Sequence, residues 1–206
     1  MSTEIELKYA LQDETARALL TQRRLAGYDL TPFETKSVVD VYYDTPDGRV
    51  ARAGYALRFR RKNGNSALQL KSLTPASGAW HQRRELHIPT ERPTEPKRWP
   101  DTPEARRLRQ ILGNASLLPL FIIYQQRHEA RVLDEGGTPF ALLSLDQVRW
   151  QAGRRKEQAW ELEIELLPGG DEQLLRALAE ALQAMPGLHP QALSKYERGL
   201  ALLREE

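Results

Sequence analysis

The sequence predicts an α+β fold whose largely antiparallel sheet closes into a barrel with its charged face inside. Three observations predict it. Strand-like segments outnumber helical ones and come in groups separated by turn residues. Several of those strands carry one apolar face and one charged face at a period of two. The charges are also sorted by sign: Glu161, Glu163 and Glu165 on one strand, Arg58, Arg60 and Lys62 on another. A sheet with one solvated face would mix signs, because like charges on neighbouring positions repel. Buried in a dry core, each ion would cost several kcal/mol even after relaxation. Closing the sheet resolves both problems. The charged faces line a wet lumen, and the apolar faces turn outward to be covered by helices.

The elements follow in chain order. Glu4 to Lys8 reads as the first strand, with Glu4, Glu6 and Lys8 on one face and Ile5 and Leu7 on the other. Asp13 is placed to cap a helix carrying Ala16, Leu19 and Leu20, with Gly27 as its stop. Ser37 to Asp44 is a strand ended by the turn Thr45-Pro46-Asp47-Gly48. Gly54 to Lys62 and Ser66 to Ser72 form a hairpin through Asn63-Gly64-Asn65, and Trp80 to Ile88 is a further strand. Residues 89–103 hold Pro89, Pro93, Pro96, Pro100 and Pro103, which makes them a connection. Thr102 then caps a helix with Pro103 at its first position and Gly113 at its end. Strands are expected at 119–133, 139–150 and 156–167. Helices are expected at about 171–185, stopped by Pro186-Gly187, and at 191–204.

Composition narrows the function classes. The 206 residues are 40% hydrophobic and 28% charged, ordinary for a globular chain. A net charge of +2 gives no bulk attraction for nucleic acid. No cysteine is present, which removes disulfide and thiolate chemistry. No apolar run reaches the roughly 18 residues of a membrane span, and the start is too charged for a signal peptide, so a cytoplasmic protein is expected. The four histidines, His81, His87, His128 and His189, show no metal-ligand spacing and are assigned no role.

The strand faces carry the chemistry. Gln69 and Lys71 oppose Leu68 and Leu70; Arg83 pairs with Glu85, and Arg127 with Arg131, on shared faces. Asp146 stands opposite Leu143 and Leu145. Carboxylates grouped on one wall fit divalent cations, and grouped Arg and Lys fit a polyanion. The lumen is therefore expected to hold a ligand that brings both signs.

These residues resemble the motifs of the CYTH superfamily, the triphosphate tunnel metalloenzymes. Glu4-x-Glu6-x-Lys8 is similar to its N-terminal hallmark. Tyr42-Tyr43-Asp44-Thr45-Pro46, Leu57-Arg58-Phe59-Arg60, Leu70-Lys71, Arg83-x-Glu85, Asp146, Glu161-Leu162-Glu163-Ile164-Glu165 and Ser194-Lys195-Tyr196 follow in order. The match runs from residue 4 to about 200 and is nearest the bacterial inorganic triphosphatase branch, where a helical CHAD domain often follows. The resemblance implies an eight-stranded antiparallel tunnel, a single domain over 1–206, and hydrolysis without a protein nucleophile. It implies that Glu4, Glu6, Asp146, Glu161, Glu163 and Glu165 hold Mg²⁺ or Mn²⁺. It implies that Lys8, Arg58, Arg60, Lys71, Arg83, Arg127, Arg131 and Lys195 bind the phosphate chain, with Glu85 orienting an arginine. Lys8, Glu6 and Glu165 are the expected catalytic groups, and tripolyphosphate is the expected substrate, taken by a monomer or homodimer. The alternatives on this fold are a thiamine- or nucleoside-triphosphatase, a class IV adenylate cyclase, or a polyphosphate-binding module without turnover.

Overall fold

A computed structural model describes residues 2–62 and 64–204. Strands β1 (Ser2–Leu11), β4 (Glu34–Asp44), β5 (Tyr55–Lys62), β6 (Asn65–Ser72), β7 (Trp80–Pro89), β8 (Leu118–Leu133), β9 (Pro139–Ala152) and β10 (Arg155–Leu166) form the barrel. Their order around the wall is β8-β4-β5-β6-β7-β1-β10-β9, and β9 pairs back onto β8. Every pairing is antiparallel, so the closed eight-stranded barrel is the architecture expected. The short strands β2 (Arg24–Leu25) and β3 (Tyr28–Leu30) extend the wall beside β8, and β11 (Leu188–Pro190) adds to β1. The proline-rich connection carries one 3₁₀ turn at Pro96–Arg98, and the strands on either side of it join the same wall.

Helices cover the outer face, where the apolar halves of the strands point. Helices α1 (Asp13–Leu20) and α4 (Glu172–Gln183) press Ala16, Leu19, Leu175, Leu178 and Leu182 onto Leu7, Leu143, Leu145, Leu162 and Ile164. Each fully buried leucine there contributes about 1.5–3 kcal/mol. Helix α3 (Pro103–Leu112) covers β5–β7 through Leu108 and Leu112 against Leu57, Leu70 and Ile88. Thr102 does cap it, accepting from the backbone N–H of Ala105 at 3.2 Å, and Gly113 ends it with φ 57°. No helix among the described residues is long and apolar enough to cross a membrane.

Three local expectations are corrected and one element is added. Helix α1 ends at Leu20, not at Gly27, because Ala26 and Gly27 turn a small hairpin at φ 47° and 94° between β2 and β3. Asp13 does not cap α1. The N-cap is Gln12, and Asp13 instead accepts from Trp160 Nε1 at 2.8 Å. A one-turn helix, α2 (Arg49–Arg52), follows the Thr45-Pro46-Asp47-Gly48 turn. Asp44 holds it by accepting from the N–H groups of Thr45, Val50 and Ala51 at 2.7–3.1 Å. The last helix, α5, spans only Lys195–Arg204. Ser194 and Glu197 make a capping box that starts the helix there: the Ser194 hydroxyl accepts from the N–H of Glu197, and the Glu197 carboxylate from that of Ser194.

Helix α5 also departs from the expected layering. It packs on inward-facing residues, Tyr42, Phe121 and Trp150, through Tyr196 and Leu202, and so closes one end of the lumen with an apolar plug. Gly199 makes that approach possible: a Cβ there would sit 2.2 Å from Phe121.

Candidate active site

Strand register places the charges. Glu6 lies opposite Glu165 and Lys8 opposite Glu163 across β1 and β10; Glu161 lies opposite Asp146, and Asp146 opposite Arg127. On the other flank of β1, Glu4 faces Arg83. Lys71 lies opposite Glu85. The period of two turns all of these inward, and Glu4, Glu6, Lys8, Lys71, Arg83, Arg127, Glu163 and Glu165 line one cavity.

One wall of that cavity is acidic. Glu4, Glu6, Glu163 and Glu165 all line it. Burial, then the charges of Glu163 and Glu4, push the Glu6 pKa up to about 7. Burial and Glu4 likewise raise that of Glu165, which has no ion pair among the described residues. The same cavity is lined by the cations Arg58, Arg60, Lys71, Arg83, Arg127 and Lys195, with Lys8 on β1 beside the acids.

Most of the cations are already committed. Lys71 donates to both oxygens of Glu4 at 2.7 and 2.6 Å. Lys195 donates to Glu163 at 2.6 Å and to Asp146 at 3.0 Å. Burial works against the Glu4 and Glu163 carboxylates, but these neighbours outweigh it and hold both pKa values below the ordinary range. Arg127 grips Asp146 with two parallel bonds of 2.7 and 2.6 Å and reaches Glu163 at 3.0 Å. Arg60 grips Asp40 in the same way at 2.8 and 2.7 Å.

Four expected site residues lie elsewhere. Asp146 and Glu161 do not line the cavity; they are fully buried behind it. Glu161 is shared by Lys8 at 2.9 Å, Lys195 at 3.1 Å and Arg198 at 2.9 Å, and Asp146 by Arg127 and Lys195, so both acids neutralise buried cations. Arg131 is exposed at the far end of β8 and is outside the cavity. Glu85 also falls outside the lining, and its carboxylate comes no nearer to Arg58 than 3.9 Å.

Two groups went unread in the sequence. Asp40 is fully buried between Arg60, Arg58 at 3.7 Å and the Gln125 amide, which donates to it at 2.9 Å. Its signal was a lone acid in the apolar run Val38–Tyr43, on the inward parity. His81 shares the parity of Arg83 and Glu85 and is buried beside Arg83. Burial first and the Arg83 charge second push its pKa down to about 4.

Among the described residues no three acidic or imidazole groups already form a metal nest. The donor set nonetheless fits a hard divalent cation, since Glu4, Glu6, Glu163 and Glu165 offer only oxygen to the cavity.

A family model described as the CYTH domain matches residues 2–200. An inorganic triphosphatase of Haemophilus influenzae is 26% identical over 98% of this chain, which spans 55% of that protein's length. HpAC1 from Hippeastrum, an adenylyl cyclase candidate described with a dominant triphosphatase activity, superposes with a TM-score of 0.66. It is 24% identical, with 96% of this chain and 95% of that one covered. A Pyrococcus horikoshii protein superposes at 0.57 with 20% identity, covering 96% and 98%. These two likenesses establish the fold.

Proposed function

The chain belongs to the CYTH domain family, and from that premise we propose that it hydrolyses inorganic tripolyphosphate to pyrophosphate and phosphate in the barrel lumen. The observation that carries this reading is the convergence of four carboxylates and seven Arg and Lys side chains, Lys8 included, on one cavity. The resemblance to an inorganic triphosphatase supports the choice of an inorganic substrate. Glu4, Glu6, Glu163 and Glu165 would hold Mg²⁺ or Mn²⁺, which when bound supplies positive charge at phosphate oxygens and lowers the pKa of a bound water.

The chain's own groups do the rest. Arg58 and Lys71 stand on adjacent strands and converge on one phosphate, Arg58 with a fork of donors suited to two oxygens. Lys71 and Lys195 pass from Glu4 and Glu163 to phosphate oxygens, so that cations which now neutralise carboxylates come to neutralise the transferring group. Glu165, which lines the cavity and has no ion pair among the described residues, is the carboxylate that accepts a hydrogen bond from the attacking water and orients it. The bond from the terminal phosphorus to the bridging oxygen breaks, and pyrophosphate leaves.

Phosphate release from tripolyphosphate, ATP, thiamine triphosphate and pyrophosphate, each with Mg²⁺, Mn²⁺ or EDTA, tests the proposal. Tripolyphosphate with metal is expected to be turned over fastest. Turnover in EDTA, or no turnover of any triphosphate, would sink it. An organic triphosphate is the second reading, favoured by exposed Leu73 and by Tyr196 on the cavity lining. An equal or higher kcat/KM for ATP would select it.

A further inference from the structure

The cations of the lumen are held in two different ways. Lys71, Lys195, Arg60 and Arg127 each lie within 3.1 Å of a carboxylate oxygen. Arg83 does not. Its nearest carboxylate among the described residues is Glu6 at 3.9 Å, and its guanidinium instead donates to Nδ1 of His81. That imidazole is 1% exposed, and its Nε2 lies 2.8 Å from the carbonyl oxygen of Gln191. A carbonyl only accepts, so Nε2 carries the proton, and the neutral ring offers Nδ1 as an acceptor. Gln191 is fixed in turn: its N–H donates to Lys8 O at 2.9 Å, and its side chain accepts from the N–H of Leu193 at 3.1 Å.

We propose that His81 is a positioning residue that holds Arg83 towards the lumen through a neutral acceptor, leaving the Arg83 charge uncommitted for the incoming phosphate. A cation paired with a carboxylate has to be released before it meets an anion, whereas one held by an imidazole lone pair does not. Arg58 is the partial parallel, since its Nε donates to the neutral Gln69 side chain at 2.8 Å, although Asp40 and Glu85 stand within 4 Å. The register makes the arrangement possible. His81 and Arg83 are two apart on β7, so both point inward, and Arg83 lies opposite Glu4 within the cavity lining. This inference rests on Arg83 meeting phosphate, as the proposed function has it.

Two isosteres separate the contacts of the ring. The Asn side-chain oxygen falls near the position of Nδ1 and can still accept from Arg83; the Gln amide nitrogen falls near Nε2 and can still donate to Gln191. Tripolyphosphate affinity is measured by titration in EDTA for wild type, His81→Asn, His81→Gln, Arg83→Ala and the His81→Gln/Arg83→Ala pair, with circular dichroism to check each fold. The expected result is near-wild-type binding for His81→Asn and roughly tenfold weaker binding for His81→Gln. His81→Gln should then cost nothing further once Arg83 is gone. Weak binding by His81→Asn with normal binding by His81→Gln would overturn the proposal in favour of a structural tie to Gln191. Equal losses from His81→Gln with and without Arg83 would also overturn it, while a loss in Arg83→Ala alone would leave Arg83 a phosphate ligand. If Arg83→Ala binds as wild type, the phosphate role of Arg83 and the positioning role of His81 fall together.

Discussion

Glu6 and Arg58 show how much one side chain's surroundings decide. Glu6 is buried among carboxylates, so Glu6→Gln removes a charge that the ligand-free fold tolerates poorly. It should abolish turnover while the melting temperature stays level or rises; retained turnover, or a clear drop in melting temperature, would contradict that. Arg58 is a different case. Its charge lies against Asp40 and Glu85, so Arg58→Ala strips a counter-ion from a buried acid. The ligand-free protein should melt lower, and it should also gain less from tripolyphosphate than wild type does. An undiminished ligand-induced gain would make Arg58 purely structural. His81 adds a pH signature. Its folded pKa of about 4 lies below the ordinary 6.5, so between those values the unfolded chain binds a proton that the folded chain refuses. That stability is complete above pH 6.5 and is lost as pH falls through 4. Melting curves at pH 7 and pH 4.5 should show a smaller drop for His81→Asn than for wild type; equal drops would assign the acid sensitivity to other groups.

Among the elements, α5 carries the most consequence for the site. It delivers Lys195 to the carboxylates, closes one end of the lumen with Tyr196, and donates Arg198 to Glu161. Its fit depends on the missing side chain at Gly199, where Phe121 lies within 2.2 Å of a would-be Cβ. Gly199→Ala should therefore cost about 1–3 kcal/mol as overpacking and shift Lys195 off its partners. Thermal melting and tripolyphosphate kcat/KM should fall together. A lower melting temperature with unchanged kcat/KM would separate the plug from the site.

For the molecule as a whole, the lumen is neutralised from within. The Lys71–Glu4 and Lys195–Glu163 pairs join groups proposed for the polyanion with groups proposed for the cation. Neither ligand alone can free one set without stranding the other, and a stranded buried charge is costly. Mg²⁺ and a non-hydrolysable tripolyphosphate analogue should therefore raise the melting temperature together by more than the sum of their separate effects. Additive shifts would mean that the ion pairs do not gate loading.

The sequence by itself determined the barrel, its inward and outward faces, the caps of α3, and the sorting of charge by sign on β5 and β10. Each depends on a local rule: a period of two along a strand, a residue type at a helix end, or repulsion between neighbouring like charges. What only the tertiary structure decided is how the charges pair across the lumen. Arg60 and Arg58 read alike along β5, yet Arg60 donates to both oxygens of Asp40 through two nitrogens while Arg58 stands 3.7 Å away. Glu161 and Glu163 share one face of β10, yet one is sealed behind the cavity and the other lines it. Arg131 shares the parity of Arg127 and ends in solvent. Depth along the barrel axis and the seating of α5 separate these cases. Both are set by strand stagger and by packing between residues far apart in the chain, which no local pattern encodes.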